Sequence, residues 1–413
     1  MASTVNFIDF DTKRYLPEQY VDGLSSDLLY GPDANRIRYQ DAKKEDINYL
    51  PLHLRTPYNL ASVMAKIPNE LCLLMQQGIV KPLIMMLTEA WDLFDTYLWT
   101  ANLPYPPDFG NVPYSDVIRF FTSRSIAEEN VTWVVPNYDH IEQIKFMKEK
   151  GYKITCKFLN FDYNLETLKL ITGTNRPRQK RFKKHYSCLL NGTPRNHRYG
   201  ITYEVWRRGL IPKGHVSSCA YIEQTEGKGN KYINDSVTTE QFLSKFDGWQ
   251  EHNNKFISSL PIVFDGKNNQ HWKDQGTNHL SGDYNEKDIF ETSFLWVASE
   301  TKKTTDGIFL TEKTWKPIAH GNPFCINGDA GSLKLLKSLG FKTFDKFWDE
   351  SYDETNDVER VKMIAQIVED LCSKTLPELQ GLNERMLPIL EHNQMLLKTS
   401  PQWKNLMEDL SNV

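Results

Sequence analysis

Between residues 131 and 159 the chain spells strand, helix, glycine, strand, and that order restricts its fold more than any other feature. Val131–Pro136 (VTWVVP) is a short apolar, β-branched run. Asp139–Lys150 carries Ile141, Ile144, Phe146 and Met147 at near-helical spacing and stops at Gly151. Tyr152–Leu159 (YKITCKFL) returns to strand texture, and Val80–Leu87 (VKPLIMML) supplies another buried strand upstream. A strand–helix–strand unit joins parallel strands, because only a long crossover brings the chain back in the same direction. Residues 1–70 are polar and turn-rich, with little clean periodicity.

The same pattern restarts after a break. Residues 172–184 (TGTNRPRQKRFKK) are basic, have no apolar period and read as a linker. Beyond them, strands are expected at 185–190, 216–222, 258–264, 294–298 and 323–327. Helices are expected at 196–208, 310–320, 332–339, 358–371 and 376–397. Glycines 209, 321 and 340 stop three of them, and Pro317 limits the second. A length of 413 residues fits two or three domains. The expectation is an α/β protein with two Rossmann-like domains facing a cleft. Residues 1–171 are expected to form an N-terminal α/β domain and 172–375 a C-terminal one. Helices in 376–413 return to brace the first.

Composition removes other classes. The 50 aromatics and 40% hydrophobic residues permit a large core and exclude a disordered chain. No apolar run approaches the ~20 residues of a membrane span, and no signal peptide is legible, so no membrane partner and a cytoplasmic location are expected. Six scattered cysteines form no CxxC or Cys/His cluster and read as reduced, mostly buried thiols. No metal site and no resident cofactor are expected. The formal charge of −4 argues against a chain that coats DNA over its whole surface.

Chemistry concentrates in two segments. In the first, Thr311 can cap a helix opening with Glu312 and Lys313. Such an N-terminus offers free N–H groups and partial positive charge to a diphosphate, Lys313 or Lys316 adds a cation, and Glu312 can accept hydrogen bonds from a ribose cis-diol. A solvated helix with a Glu312–Lys316 pair fits the same letters. Thr311-Glu312-Lys313 followed by Gly321-Asn322-Pro323-Phe324 resembles the donor-site signature of GT-B glycosyltransferases, nearest to the fucosyltransferase-like group. The resemblance covers roughly 30 of 413 residues. It implies that Glu312 and Lys313 contact a nucleotide sugar, with Glu300 at the preceding strand end supporting the site. His320 stands where many retaining GT-B enzymes have a second Glu, which implies inversion.

In the second, Asn191-Gly192-Thr193-Pro194-Arg195-Asn196-His197-Arg198 runs from strand through a small-residue turn into a helix. This is the form of a phosphate-binding turn, with Asn191 at its start and Arg195 and Arg198 as anion clamps. Surface carboxylates are the competing partners for both arginines. The stretch also resembles the Leu-Asn-x-x-x-Arg-x-His-Arg segment of viral glycosyltransferase-like proteins, which places a viral member in the host cytoplasm.

Eight basic residues and no acid lie between Arg176 and Arg198. Arg176, Arg178, Lys180, Arg181, Lys183 and Lys184 are the candidate contacts to a nucleic-acid backbone, against the alternative of a solvated face. Transfer to a hydroxyl also needs a proton acceptor. Glu89, then Asp92, at the carboxyl end of strand 80–87 are the candidates. Asp9-Phe10-Asp11 is spelled like a GT-A metal motif but is discounted, because no buried strand is expected before it.

The reading is therefore a nucleotide-sugar-dependent glycosyltransferase, with 1–171 the acceptor-binding domain and 172–375 the nucleotide-sugar-binding domain. Its acceptor is either a hydroxymethylated base in double-stranded phage DNA, or a glycan or metabolite. The rivals are a non-catalytic nucleic-acid-binding protein on a degenerate sugar-nucleotide fold and a nucleotide-sugar epimerase.

Overall fold

In a computed structural model, residues 5–8, 35–54, 67–86, 113–135, 144–145, 148–149, 153–162, 165, 168, 177, 180–190, 195–221, 238–262, 286–301 and 308–412 are described. The chain divides into two units, Met1–Glu166 with Pro401–Val413, and Thr167–Ser400.

The first unit holds a six-stranded, wholly parallel sheet. Its strands are β1 (Val5–Ile8), β2 (Asn35–Ile37), β3 (Ile47–Leu54), β4 (Val80–Met86), β5 (Thr132–Val135) and β6 (Lys157–Asn160), in the order β2-β1-β3-β4-β5-β6. Alternate residues feed two cores, as a parallel sheet covered on both faces requires. Ile8, Leu50, Ile84 and Trp133 face helices α1 (Asn69–Gln76) and α2 (Pro113–Thr122) through Leu71, Met75, Val117 and Phe121. Phe7, Tyr49, Leu83 and Val134 point the other way, against Trp403, Leu406 and Leu410 of the C-terminal helix Gln402–Ser411. The Tyr49 hydroxyl donates to the Leu410 carbonyl at 3.1 Å.

Three of these strands lie in residues 1–70, where the sequence shows little periodicity. They are short and carry polar letters, which hides their periodicity. The polar groups are satisfied inside the sheet: Asn6 Nδ2 donates to Asn48 Oδ1 at 2.9 Å, and Asn48 Nδ2 to the Ile79 carbonyl at 3.0 Å. The reason given for discounting Asp9-Phe10-Asp11 therefore fails, since buried β1 ends one residue before Asp9. Asp9 and Asp11 lie outside the described residues, as do Glu89 and Asp92.

The second unit is built on a four-stranded parallel sheet in the order β10-β9-β7-β8. The strands are β7 (Lys184–Leu189), β8 (Gly214–Ser217), β9 (Ser293–Ser299) and β10 (Phe324–Asn327). Helix α3 (Asn196–Arg207) lies between β7 and β8; α4 (Thr239–Leu243), α5 (Trp249–Ser258) and α6 (Glu286–Thr292) precede β9. Helix α7 (Glu312–His320) joins β9 to β10, followed by α8 (Ser332–Ser338), α9 (Asp357–Cys372) and α10 (Leu376–Thr399). Among the described residues 258–262 of the strand expected at 258–264, no strand is formed. Ser258 ends α5, and of the described residues only Ile262 makes a bridge, to Ser218. Trp249 and Phe256, seven apart, both pack on Tyr203, so the helical period prevails. Of the two helices in 376–413, α10 packs on α7 and β7 in this unit, while α11 (Gln402–Ser411) covers the first sheet. All six cysteines are free; only Cys219 is half-exposed. No helix among the described residues is long and apolar enough to cross a membrane.

Candidate anion-binding site at the strand switch point

From β7 the chain crosses to β8 on one side; from β9 it crosses to β10 on the other. The connections diverge between β7 and β9, and open parallel sheets bind ligands where connections diverge at the carboxyl ends of their strands. Both motif segments arrive there. Arg195 to Arg198 open α3 after β7, and Thr311 to Lys313 open α7 after β9.

Glu300, the residue after β9, joins them. Its carbonyl accepts from His197 Nε2 at 2.9 Å and from Arg198 Nη2 at 3.3 Å. A carbonyl only accepts, so the His197 proton sits on Nε2. The Glu300 carboxylate is fully buried and accepts from the Thr311 amide at 3.0 Å, the Thr311 hydroxyl at 2.5 Å, the Thr314 hydroxyl at 2.6 Å and the Thr301 amide at 3.2 Å. Asn327, ending β10, adds a third strand by donating to the His197 carbonyl and the Ser299 hydroxyl, each at 3.1 Å. In the sequence His197, Thr314 and Asn327 are marked only by their place at a strand end or helix start.

The electrostatics suit an anion. Arg195 and Arg198 are each 6% exposed. Burial pushes the Arg198 guanidinium down to about 10 and the Arg195 charge pushes the same way; Glu300, Glu312 and Cys219 pull it back. Two neighbouring buried cations repel each other, and a bound anion relieves that repulsion. Burial alone would raise Glu312, but Lys313 and Lys316 outweigh it and hold the carboxyl down to about 2. Its ion pair is with Lys313, at 2.7 Å, with Lys316 acting at longer range. Lys313 Nζ also donates to Thr311 Oγ1 at 3.2 Å and Thr301 Oγ1 at 3.3 Å. Glu312 and Lys313 keep 21% and 29% of their side-chain surface exposed, enough to meet a ligand.

The first N–H groups of α7 are already taken: the Glu312 amide by its own carboxylate, the Lys313 amide by Thr311 Oγ1 at 3.3 Å and the Thr314 amide by the Thr311 carbonyl at 3.1 Å. Positive charge at this end comes from side chains. Asn191 lies outside the described residues, as do Arg176 and Arg178.

The expected nucleic-acid face also changes. Lys180 is 3% exposed, and its ammonium donates to the Phe290 carbonyl and to Asn322 Oδ1. Burial lowers it to about 7 against the pull of Glu291. It is an internal strut and cannot reach a phosphate backbone. Lys184 donates to the Pro212 carbonyl at 2.8 Å, while Arg181 and Lys183 are exposed. These residues stand at the amino end of β7, about 20 Å along the strand from the switch point. His320, in the second-Glu position, is stacked on Phe290 with ring centres 4.1 Å apart. Among the described residues no group of three His, Cys, Asp or Glu side chains could hold a metal ion.

No protein-family model matches the sequence, and no curated protein sequence matches it. Among solved structures the chain is similar to a DNA-modifying β-glucosyltransferase solved with and without uridine diphosphoglucose. That match has 12% identity, covers 93% of this chain and 87% of that one, and has a TM-score of 0.39. It is also similar to T4 phage BGT with its UDP-glucose substrate, at 14% identity, full coverage of both chains and a TM-score of 0.37. A GtfA/B complex matches at 10% identity over 89% of this chain and 58% of that one, with a TM-score of 0.34.

Proposed function

We propose that the second unit binds a nucleotide-diphosphate sugar and that the protein transfers the sugar to an acceptor hydroxyl. The observation that carries this is the meeting of Arg195 and Arg198 with Glu312 and Lys313 around Glu300 at one strand switch point. The arginines and Lys313 neutralise the diphosphate, both as ground-state ligand and as leaving group. Glu312, ionised throughout the neutral range, accepts hydrogen bonds from ribose hydroxyls. The acceptor hydroxyl attacks the anomeric carbon, the bond to the diphosphate oxygen breaks, and a carboxylate takes the proton. Glu89 and Asp92 are the candidates for that role, and inversion is the expected outcome of a single displacement.

The acceptor is argued by charge. A hydroxymethylated base in duplex DNA would need backbone contacts, and of the basic stretch from 176 to 184 only Arg181 and Lys183 are described as exposed, at the sheet end away from the switch point. Calorimetry with uridine and guanosine diphosphates tests the donor assignment: Glu312→Ala and Lys313→Ala should abolish binding in a protein that still folds. Unchanged affinity in both variants removes it. Transfer assays with a panel of nucleotide sugars, with and without hydroxymethylcytosine DNA, then separate the acceptor classes and distinguish an epimerase, which converts donor alone.

A further inference from the structure

We infer that Glu300 is a positioning residue that couples the two halves of the anion site, holding Arg198 through its backbone and Thr311 through its side chain without touching the ligand. This rests on the reading that the site takes a nucleoside diphosphate. The carboxylate is fully buried, and both oxygens are filled by protein donors. It therefore has no capacity to bind a donor directly. Its bonds instead fix the residue that caps α7 and supports Lys313 Nζ. Four atoms along the same residue, its carbonyl fixes His197 and Arg198 at the start of α3. A shift of Glu300 must move both cationic arms together.

The surroundings hold Glu300 from behind. Gly328, after β10, packs on its side chain: a Cβ there would stand 3.1 Å from Glu300 Cβ and 3.3 Å from Cγ. Gly328 is held in turn by Arg360, 2% exposed, whose Nη1 donates to the Gly328 carbonyl at 2.9 Å. Hydrogen bonding makes the carboxylate specific. Oε1 takes the Thr311 amide and Oε2 the Thr301 amide, and neither amide can reverse its polarity. In E300Q the amide nitrogen must face one of these N–H groups whichever way the side chain is turned.

The test uses the full chain. E300Q, G328A, T311V and T311S are compared by hydrogen–deuterium exchange without nucleotide, and by calorimetric titration with uridine and guanosine diphosphates well below each melting temperature. E300Q should speed exchange at both 311–315 and 195–199 and weaken nucleotide binding roughly tenfold. T311V should follow it and T311S should restore wild-type affinity. G328A leaves every hydrogen-bonding group in place and should act in the same direction, so it decides the matter should E300Q not fold. A purely structural role would lower the melting temperature and leave the folded protein's affinity alone. Wild-type exchange at 195–199 in E300Q and G328A, or wild-type nucleotide affinity in both, overturns the proposal. A wild-type protein that binds no nucleotide overturns the donor reading instead, while the exchange comparison still decides the coupling.

Discussion

Lys180 and Asn322 form a buried strut at the amino ends of β7 and β10, the strands on either side of β9. The ammonium donates to Asn322 Oδ1, while Asn322 Nδ2 donates to the Phe290 and Ser293 carbonyls at 3.0 and 2.9 Å. Burial lowers Lys180 from 10.5 to about 7, against the pull of Glu291, so between those values the unfolded chain holds a proton that the folded chain does not. Stability must then rise with pH across that window, and the burial penalty is present in full below about pH 7. Wild type should gain about 2 kcal/mol relative to K180M between pH 7 and 9, read from denaturant unfolding at each pH. A difference that is flat with pH would contradict the buried ammonium.

Glu312 works in the opposite sense. Burial would raise it, but Lys313 and Lys316 hold it down to about 2 from an ordinary 4.5. Its contribution is therefore complete above about pH 4.5 and is lost as pH falls towards 2. E312Q should be less stable than wild type by about 2 kcal/mol at pH 7, with the gap closing between pH 4.5 and 2. Unfolding curves for the two proteins over pH 2–7 check this.

Gly321 ends α7 with φ at +64°, and a Cβ there would stand 2.5 Å from Pro177 Cγ. Both the left-handed backbone and the contact oppose a side chain. G321A should destabilise the fold by about 2–4 kcal/mol. The site lies at the other end of α7, so nucleoside diphosphate affinity of the folded variant should match wild type by calorimetry.

Trp403 closes the second face of the six-stranded sheet, its ring 4.4 Å from that of Phe161. W403A should cost about 3 kcal/mol or more in stability, measured by chemical unfolding. A change below 1 kcal/mol would mean that the C-terminal helix adds little to that core.

R181S and K183S together should leave nucleoside diphosphate affinity within about twofold of wild type, because both side chains are exposed at the far end of β7. A large loss in titration would place the basic stretch beside the ligand.

Much of this protein is decided locally and is visible in the letters. Apolar runs such as those of β4, β5 and β9 are buried on both faces, so they spell strands without help from distant residues. Thr311 before Glu312-Lys313, and Gly321 after His320, mark the ends of α7 through capping chemistry that acts within a turn. Arg195, Arg198 and Lys313 are likewise legible as anion-binding types, and Glu312 as an acceptor for ribose hydroxyls. What tertiary structure alone decided is which polar groups are consumed inside. Asn6 donates to Asn48 across 42 residues and Asn48 to the Ile79 carbonyl, so strands that read as polar coil become core. Lys180, spelled like its basic neighbours, is spent on Asn322, 142 residues away. Glu300 turns from a candidate ligand into an internal brace once Thr301, Thr311 and Thr314 fill its oxygens. A polar side chain's role depends on whether its hydrogen bonds go to water, ligand or protein, and that is set by partners that sequence spacing does not bring together.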